Sequence, residues 1–327
     1  MIGSGGGGGL RRLGVDSSAM SVAEEIHFAG AFRAALTQVI AALPDEQREL
    51  VVLPWDHPGR TRWDSGPRER SLGMRWSAIA PTARPLIEMV LSLLHSPNGH
   101  QRMWAIRSLE SILGRLEGGR PHRDPDRYWI QIFGDPSHGP STFRFEGHHL
   151  SVNATVIDDR VRATPLFRAT NPARVPDDDP RAGWRVLDRE EDCARTAIAA
   201  LPATQRQRAW INAPLAGDTQ TGVAESLLPT ALAPQGISLL ELPLAATAAI
   251  HAAVDAWLDH LTPVLAADLR QRNRGRGGWF AWQGDARGAF AWRCVEGDLL
   301  IDVNQAQNAG NHIHAVVREC GQDWASS

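Results

Sequence analysis

The sequence predicts an α+β fold, with a mixed or antiparallel sheet assembled from two strand blocks and covered by N-terminal and central helices. Three observations predict it. Apolar residues recur at helical spacing through the first 117 residues and again between 188 and 272. Segments rich in β-branched and aromatic residues cluster in two blocks, 128–164 and 278–317. Gly, Pro and Asp punctuate both blocks at short intervals, as turns between strands require.

The elements follow in order. Residues 22–43 place Ile26, Phe32, Leu36, Val39, Ile40 and Leu43 on one helical face, closed by Pro44 and Asp45. A short apolar run at 50–54 leads into an irregular arginine- and tryptophan-rich loop from Trp55 to Trp76. Helices over 82–95 and 99–117 are separated by Ser96-Pro-Asn-Gly99, a turn and cap. Strands are predicted at 128–133, 142–146, 148–157 and 161–164, with Asp158-Asp159 as a hairpin turn. Residues 170–184, rich in Pro, Asp and Arg, read as a surface loop. Residues 188–200 and 244–272 read as helices, the latter broken at Thr262-Pro263. Between them, 213–237 is either a lid or a long connection. Strands return at 278–282, 289–295, 299–303 and 312–317. The glycine run from Gly3 to Gly9 makes residues 1–20 a disordered leader, and 21–322 a single α+β domain.

Composition excludes several functions. A chain of 327 residues, 43% hydrophobic, is long enough to bury a large core. Its formal charge of −3 gives no basic excess for nucleic acid. Every one of its 34 basic residues is arginine, so no lysine Schiff base or P-loop lysine is possible. Three scattered cysteines form neither a zinc-knuckle spacing nor a disulfide framework. No apolar run is long enough for a membrane span, and a cytoplasmic setting is expected.

Chemistry concentrates in two histidine pairs about 160 residues apart, His148-His149 and His312-Ile-His314, each in a strand-like segment. Alternation along a strand puts His312 and His314 on one face with Cβ atoms roughly 6.5–7 Å apart, close enough to converge on one ion. The same alternation would let only one of His148 and His149 join them, unless Gly147 permits a bulge. A sheet that brings both pairs together would form a mononuclear site for one divalent transition metal: iron, copper or zinc. Glu146 is the candidate fourth ligand or catalytic acid–base group. Asn153, Asn304, Asn308 and Asn311 are candidates to orient the imidazoles, and His57, Arg62 and Arg318 are candidates for an outer shell or for substrate recognition. His27, His95, His100, His251 and His260, in helical stretches, read as surface or helix-end residues. The spacing His312-x-His314-x4-Glu319 also fits a first cupin motif, but the long helices and the missing cupin glycines argue against that barrel.

The motifs Asp126-Arg-Tyr128, Phe133-Gly-x-Pro-Ser137, Phe145-Glu-Gly-His-His-Leu-Ser-x-Asn153, Gln307-Asn308 and Asn311-His-Ile-His314 with Arg318 carry a resemblance. In this order they resemble the family catalogued as domain of unknown function 3500, over about residues 25–320. Asn304 and Gln305 depart from the resembled pattern, which has an acidic residue followed by Asn there. The resemblance implies no reaction; it implies that the four histidines fall within the family's motifs.

The reading favoured by the residues is a metal-dependent, oxygen-using oxidoreductase acting on a small organic or peptidic substrate. A zinc hydrolase with Glu146 as base, and a non-catalytic small-molecule-binding protein with a polar His/Asn cleft, are the alternatives.

Overall fold

The computed structural model describes residues 21–70, 72–222 and 233–325. The order of elements begins with helix α1 (Val22–Ala42), helix α2 (Asp45–Val51) and the short strands β1 (Val52–Leu53) and β2 (Met74–Arg75). Helices α3 (Arg84–Leu94) and α4 (Pro97–Leu116) follow, then β3 (Tyr128–Gly134), β4 (Ser141–Gly147), β5 (Leu150–Ile157), β6 (Arg160–Arg162) and β7 (Leu166–Thr170). Next come α5 (Asp188–Ala200), α6 (Ala203–Ala209), β8 (Ile237–Ser238), α7 (Leu244–Leu258) and α8 (Pro263–Asn273). The chain closes with β9 (Gly278–Gly284), β10 (Phe290–Glu296), β11 (Leu299–Gln305) and β12 (Ile313–Glu319).

Local chemistry sets these limits. Ser21 and Glu24 form a reciprocal capping box at the start of α1, each side chain accepting from the other's backbone N–H. The Ser96 hydroxyl accepts from Gly99 N at 3.0 Å and starts α4 with Pro97 in its first turn, as the sequence predicts. Thr262-Pro263 separates α7 from α8 at the predicted break. Two short helices, α2 and α6, lie outside the predicted elements. Each spans two turns, too short for a recognisable apolar period. Among the described residues no helix is long and apolar enough to cross a membrane.

All twelve strands join one mixed sheet, ordered β1-β3-β4-β5-β7-β12-β11-β10-β9-β8, with β2 and β6 alongside β3 and β5. Among the described strands, only β1 and β3 pair in parallel. The two strand blocks meet where β7 pairs antiparallel with β12. Strand β7 is the element the sequence hides: its five residues lie between Pro165 and Pro172, and its middle residue is a buried arginine, Arg168.

One face of the sheet is apolar. Tyr128, Ile130, Phe143, Phe145, Val152, Ile301, Val303 and Ala315 pack against the helices in a single large core. The other face is covered by loops. Trp63 of the arginine loop and Trp324 near the C-terminus pack on Phe167, Ala169 and Val316, and Ile211 packs on Trp279, Ala281 and Leu300. His312 and His314 belong to this second face, with Val316, where the cover is irregular and polar side chains find partners.

Candidate metal centre

The site is built at the end of the sheet where the two blocks join. His148 and His149 are the two residues of the hairpin turn between β4 and β5, since Gly147 pairs with Leu150. The expectation of a strand beginning at His148 is therefore corrected, and strand alternation does not decide which imidazole faces inward. His149 takes a positive φ of 64°. Its N–H donates to Ser65 O at 3.1 Å and its carbonyl accepts from Ala169 N at 2.9 Å. These two bonds hold an unfavourable backbone conformation in place. Gly147 is required by packing: a Cβ there would stand 2.6 Å from the Tyr128 ring. The Tyr128 hydroxyl donates to His148 O at 2.5 Å and pins the turn from below.

Ala169 is the hinge of the geometry. It pairs with His314 on one side and bonds His149 on the other. Pairing through Ala169 thus sets His149 and His314 side by side, with ring centroids 5.5 Å apart.

The rings converge. His149 Nε2 lies 3.0 Å from His312 Nε2, which lies 2.8 Å from His314 Nε2. One ligand atom from each of the three falls within 4.8 Å of the other two. Nitrogens arranged tetrahedrally around an ion at 2.0–2.1 Å stand about 3.3 Å apart, so the observed spacing is close to that of a ligand set. His314 Nδ1 bonds Asp218 Oδ1 at 2.6 Å, the orientation that points Nε2 into the centre. Burial drives the His149 pKa well below its ordinary range and that of His312 to about 3. Both rings are therefore neutral at physiological pH, the form in which imidazole binds metal. For Asp218, partial burial alone would raise the pKa, but the hydrogen bond and charge of His314 turn the net shift downward.

A second group shares His149. The His148 ring stacks on it with centroids 3.5 Å apart, and His148 Nδ1 bonds Glu110 Oε1. Glu110, His148 and His149 also bring ligand atoms within 4.8 Å, so either group could hold a metal ion. Electrostatics separate the two. Arg123 Nη1 lies 3.0 Å from His148 Nδ1 and 4.0 Å from Glu110 Oε2. A fixed guanidinium at that distance opposes a cation. Burial also raises the Glu110 pKa to about 8, favouring its protonated form. The three-histidine group has no protonated carboxyl among its ligands, and on His149 and His312 the Arg123 charge acts less than burial and the neighbouring histidines.

The other predicted residues lie elsewhere. Glu146 accepts from Asp64 N and Gln131 Nε2, both at 3.1 Å, and lines a cavity of about 500 Å³ with His57 and Arg62. It belongs to neither histidine group. His57 accepts from Gly59 N at 2.9 Å, while Arg62 makes no ion pair among the described residues. The Asn153 carboxamide holds Arg144 Nε at 2.6 Å and bonds Ser151 and Pro165. Asn308 bonds Asn171, and Asn311 bonds the backbone of Arg174. Arg318 is buried against Asp323 and Thr221 O. None of these carboxamides bonds a histidine ring among the described residues.

His95 and His260, expected at the surface or at helix ends, do follow α3 and α7 but are buried. Sequence reasoning also missed Glu110 and Asp218. Glu110 had a signal, a carboxylate on the buried face of α4 beside Ile106, Leu109 and Leu113. Asp218 had none, since it lies in the Gly/Pro/Ala-rich stretch 213–237, of which residues 223–232 lie outside the described residues.

No curated protein and no solved structure matches the chain. A family profile described as "Protein of unknown function (DUF3500)" matches residues 27–326. That span takes in both histidine motifs and every described element except the first turn of α1. The chain belongs to the DUF3500 family.

Proposed function

We propose that this chain is a metal-dependent enzyme with a mononuclear centre at His149, His312 and His314, favoured as an oxygen-using oxidoreductase acting on a small organic or peptidic substrate. One observation carries the reading: His312 Nε2 stands within hydrogen-bond distance of two other ring nitrogens at once. A neutral imidazole has at most one proton at that atom and cannot serve both neighbours. A cation placed among the three satisfies all of them.

Three neutral nitrogen donors with open positions suit iron(II) or copper, which would supply redox chemistry and a place for dioxygen beside the substrate. The chain's own residues supply the rest. Asp218 fixes the His314 tautomer, and the Ser65 and Ala169 backbone bonds fix His149. The hydrolase reading is weakened because its base is engaged elsewhere: Glu146 is bonded to Asp64 N and Gln131.

The test is elemental analysis of protein prepared without a histidine tag, compared with His312→Ala, followed by oxygen uptake with the bound metal. The reading expects about one transition-metal ion per chain, lost in the variant. Equal metal in both proteins, or none in the folded wild type, would remove it. Zinc without oxygen uptake would favour a hydrolase.

A further inference from the structure

The two halves of the chain share one architecture. Ala41-Ala-Leu-Pro-Asp-Glu-Gln-Arg48, joining α1 to α2, returns as Ala199-Ala-Leu-Pro-Ala-Thr-Gln-Arg206 between α5 and α6. Just beyond, Val52 bridges Ile132 in parallel and Trp210 bridges Trp282 in the same sense, each partner the fifth residue of its strand. Gly73 and Gly236 take φ of 80° and 78°, and an added Cβ would stand 2.3 Å from Ile130 O and 2.2 Å from Phe280 O. Ser96 N donates to His260 O at 3.1 Å, and reciprocally Thr262 N donates to Leu94 O at 3.0 Å. In the sheet, β3-β4-β5-β7 is followed, in reverse, by β12-β11-β10-β9. Each half lays a loop over the polar face of its own strands, and Gly59–Arg62 of the first matches Gly217–Gln220 of the second.

Under each loop lies a cleft, and the two differ in charge. In the second half Arg293 lies 3.6 Å from its cross-strand partner Asp302 and donates to Gln220 Oε1 at 2.7 Å. One guanidinium faces one carboxylate, and about 40 Å³ stays open, room for a few waters. In the first half Arg144 stands in the place of Arg293, the neutral Asn153 in that of Asp302, and Arg62 in that of Gln220. This cleft measures about 500 Å³. The side chains of Arg144 and Arg70 in its floor are 1% and 6% exposed. They donate to backbone carbonyls, among them Gly59 O and Asp64 O, which satisfies donors without cancelling charge. Asp64, 3.7 Å from Arg70, is held closer by Arg68, at 2.8 Å, and Glu69 is held by Arg127. Glu146 is left to both floor guanidiniums, at 3.9 and 3.6 Å. Arg62 is exposed at the rim and makes no ion pair or side-chain hydrogen bond among the described residues. Three guanidiniums against one carboxylate leave two positive charges over.

We propose that the first-half cleft binds a small organic dicarboxylate, with one carboxylate against the floor guanidiniums and the other on Arg62. A buried charge without a partner is costly, and a dianion removes the excess. Arg70 Nε and Trp63 Nε1, both buried and without a hydrogen-bond partner among the described residues, are donors left for it. The separation of rim from floor favours two carboxylates over one compact phosphate, and Pro58 and Leu72 give the carbon chain between them an apolar wall. In the twin cleft Gln220 and Asp302 meet Arg293 from within the chain, and that cleft is nearly closed. No histidine of the metal centre lines the first-half cleft, so the proposal stands apart from that reading.

Succinate, a dianion at neutral pH, is titrated calorimetrically into the metal-free full chain at low salt. Butyrate, succinamide and inorganic phosphate are titrated separately, to test charge number, charge and shape. The expectation is that succinate binds, that butyrate binds roughly tenfold more weakly, that succinamide gives no heat, and that phosphate is weaker than succinate. Arg62→Ala should weaken succinate binding roughly tenfold, and Arg62→Lys should restore most of it. Arg62 touches no partner, so both variants should unfold at the wild-type temperature. Arg174→Ala, at another cavity, should bind succinate as wild type does. Equal affinity for succinate and succinamide, tighter phosphate than succinate, or equal succinate affinity in wild type and Arg62→Ala would each overturn the proposal. So would the absence of succinate heat in wild type up to about 10 mM.

Discussion

Two sets of buried histidines occupy opposite faces of this sheet, and their difference shows what makes a site. On the helix-covered side, His95 and His260 are as deeply buried as His149, and burial lowers all three pKa values. Yet each has its own partner: His95 Nδ1 bonds Leu91 O at 2.7 Å, and His260 Nε2 bonds Glu190 Oε1 at 2.6 Å. On the loop-covered side Asp218 holds only the outer nitrogen of His314, and the Nε2 atoms of His149, His312 and His314 converge on one another. Burial and depressed pKa therefore do not distinguish a structural histidine from a ligand. Convergence does. A helix end satisfies a ring with a nearby carbonyl or carboxylate, whereas neighbouring strands can aim several rings at one point.

The comparison can be broken first at the centre. His312→Ala or His149→Ala should weaken metal binding by more than about 100-fold, beyond the range typical of an outer partner, with thermal unfolding of the metal-free protein little changed. His260→Ala should do the opposite. It leaves Glu190 buried without its bond, at a cost of about 3 kcal/mol in stability, and metal content should stay at the wild-type level. A His260 variant that lost metal would erase the distinction between the two sets. Next in size, Asp218→Asn should cost about 10- to 100-fold in metal affinity while preserving the fold, because it loosens the orientation of His314 without removing a ligand.

Acid should act on both sets in the absence of metal. His312 holds a pKa of about 3 against an ordinary 6.5, so below pH 6.5 the unfolded chain binds a proton that the folded chain refuses. Its contribution to stability is complete above 6.5 and is lost as pH falls toward 3, with a slope of at most ~1.4 kcal/mol per pH unit. His95, His148, His149 and His260 shift in the same direction. Glu110 runs the other way. Its raised pKa of about 8 makes burial increasingly costly as pH climbs from 4.5, and burial also raises Glu88 and takes Asp323 to about 6, so three carboxyls oppose five imidazoles. Urea midpoints of chelated protein should therefore rise from pH 5 to 6.5. A flat profile would mean that the rings are not held neutral. The smallest effect expected is that of Tyr128→Phe, which removes one hydrogen bond to the His148 turn and should cost about 1 kcal/mol.

Much of the framework was legible. The helical stripe of α1, the Ser96 cap of α4, the break at Pro263 and the second strand block follow from local period and turn chemistry, which act over a few residues. The pairing of His312 with His314 was legible for the same reason. Glu146 shows the limit. Its sequence neighbourhood made it a natural companion to the histidines, yet strand alternation turns it, with Arg144, toward the arginine loop and a different cavity.

By itself, the sequence determined that two strand blocks exist, that each carries a histidine pair, and that no lysine or disulfide chemistry is available. Only the tertiary structure decided that β7 would join the blocks, that His149 and His314 would meet over Ala169, and that Glu110 and Asp218 would stand at the two ends of the histidine cluster. The reason is physical. A period is encoded in neighbouring residues, but a site assembled across 163 positions depends on which strand edges pair, and that is set by the packing of the whole sheet against its helices.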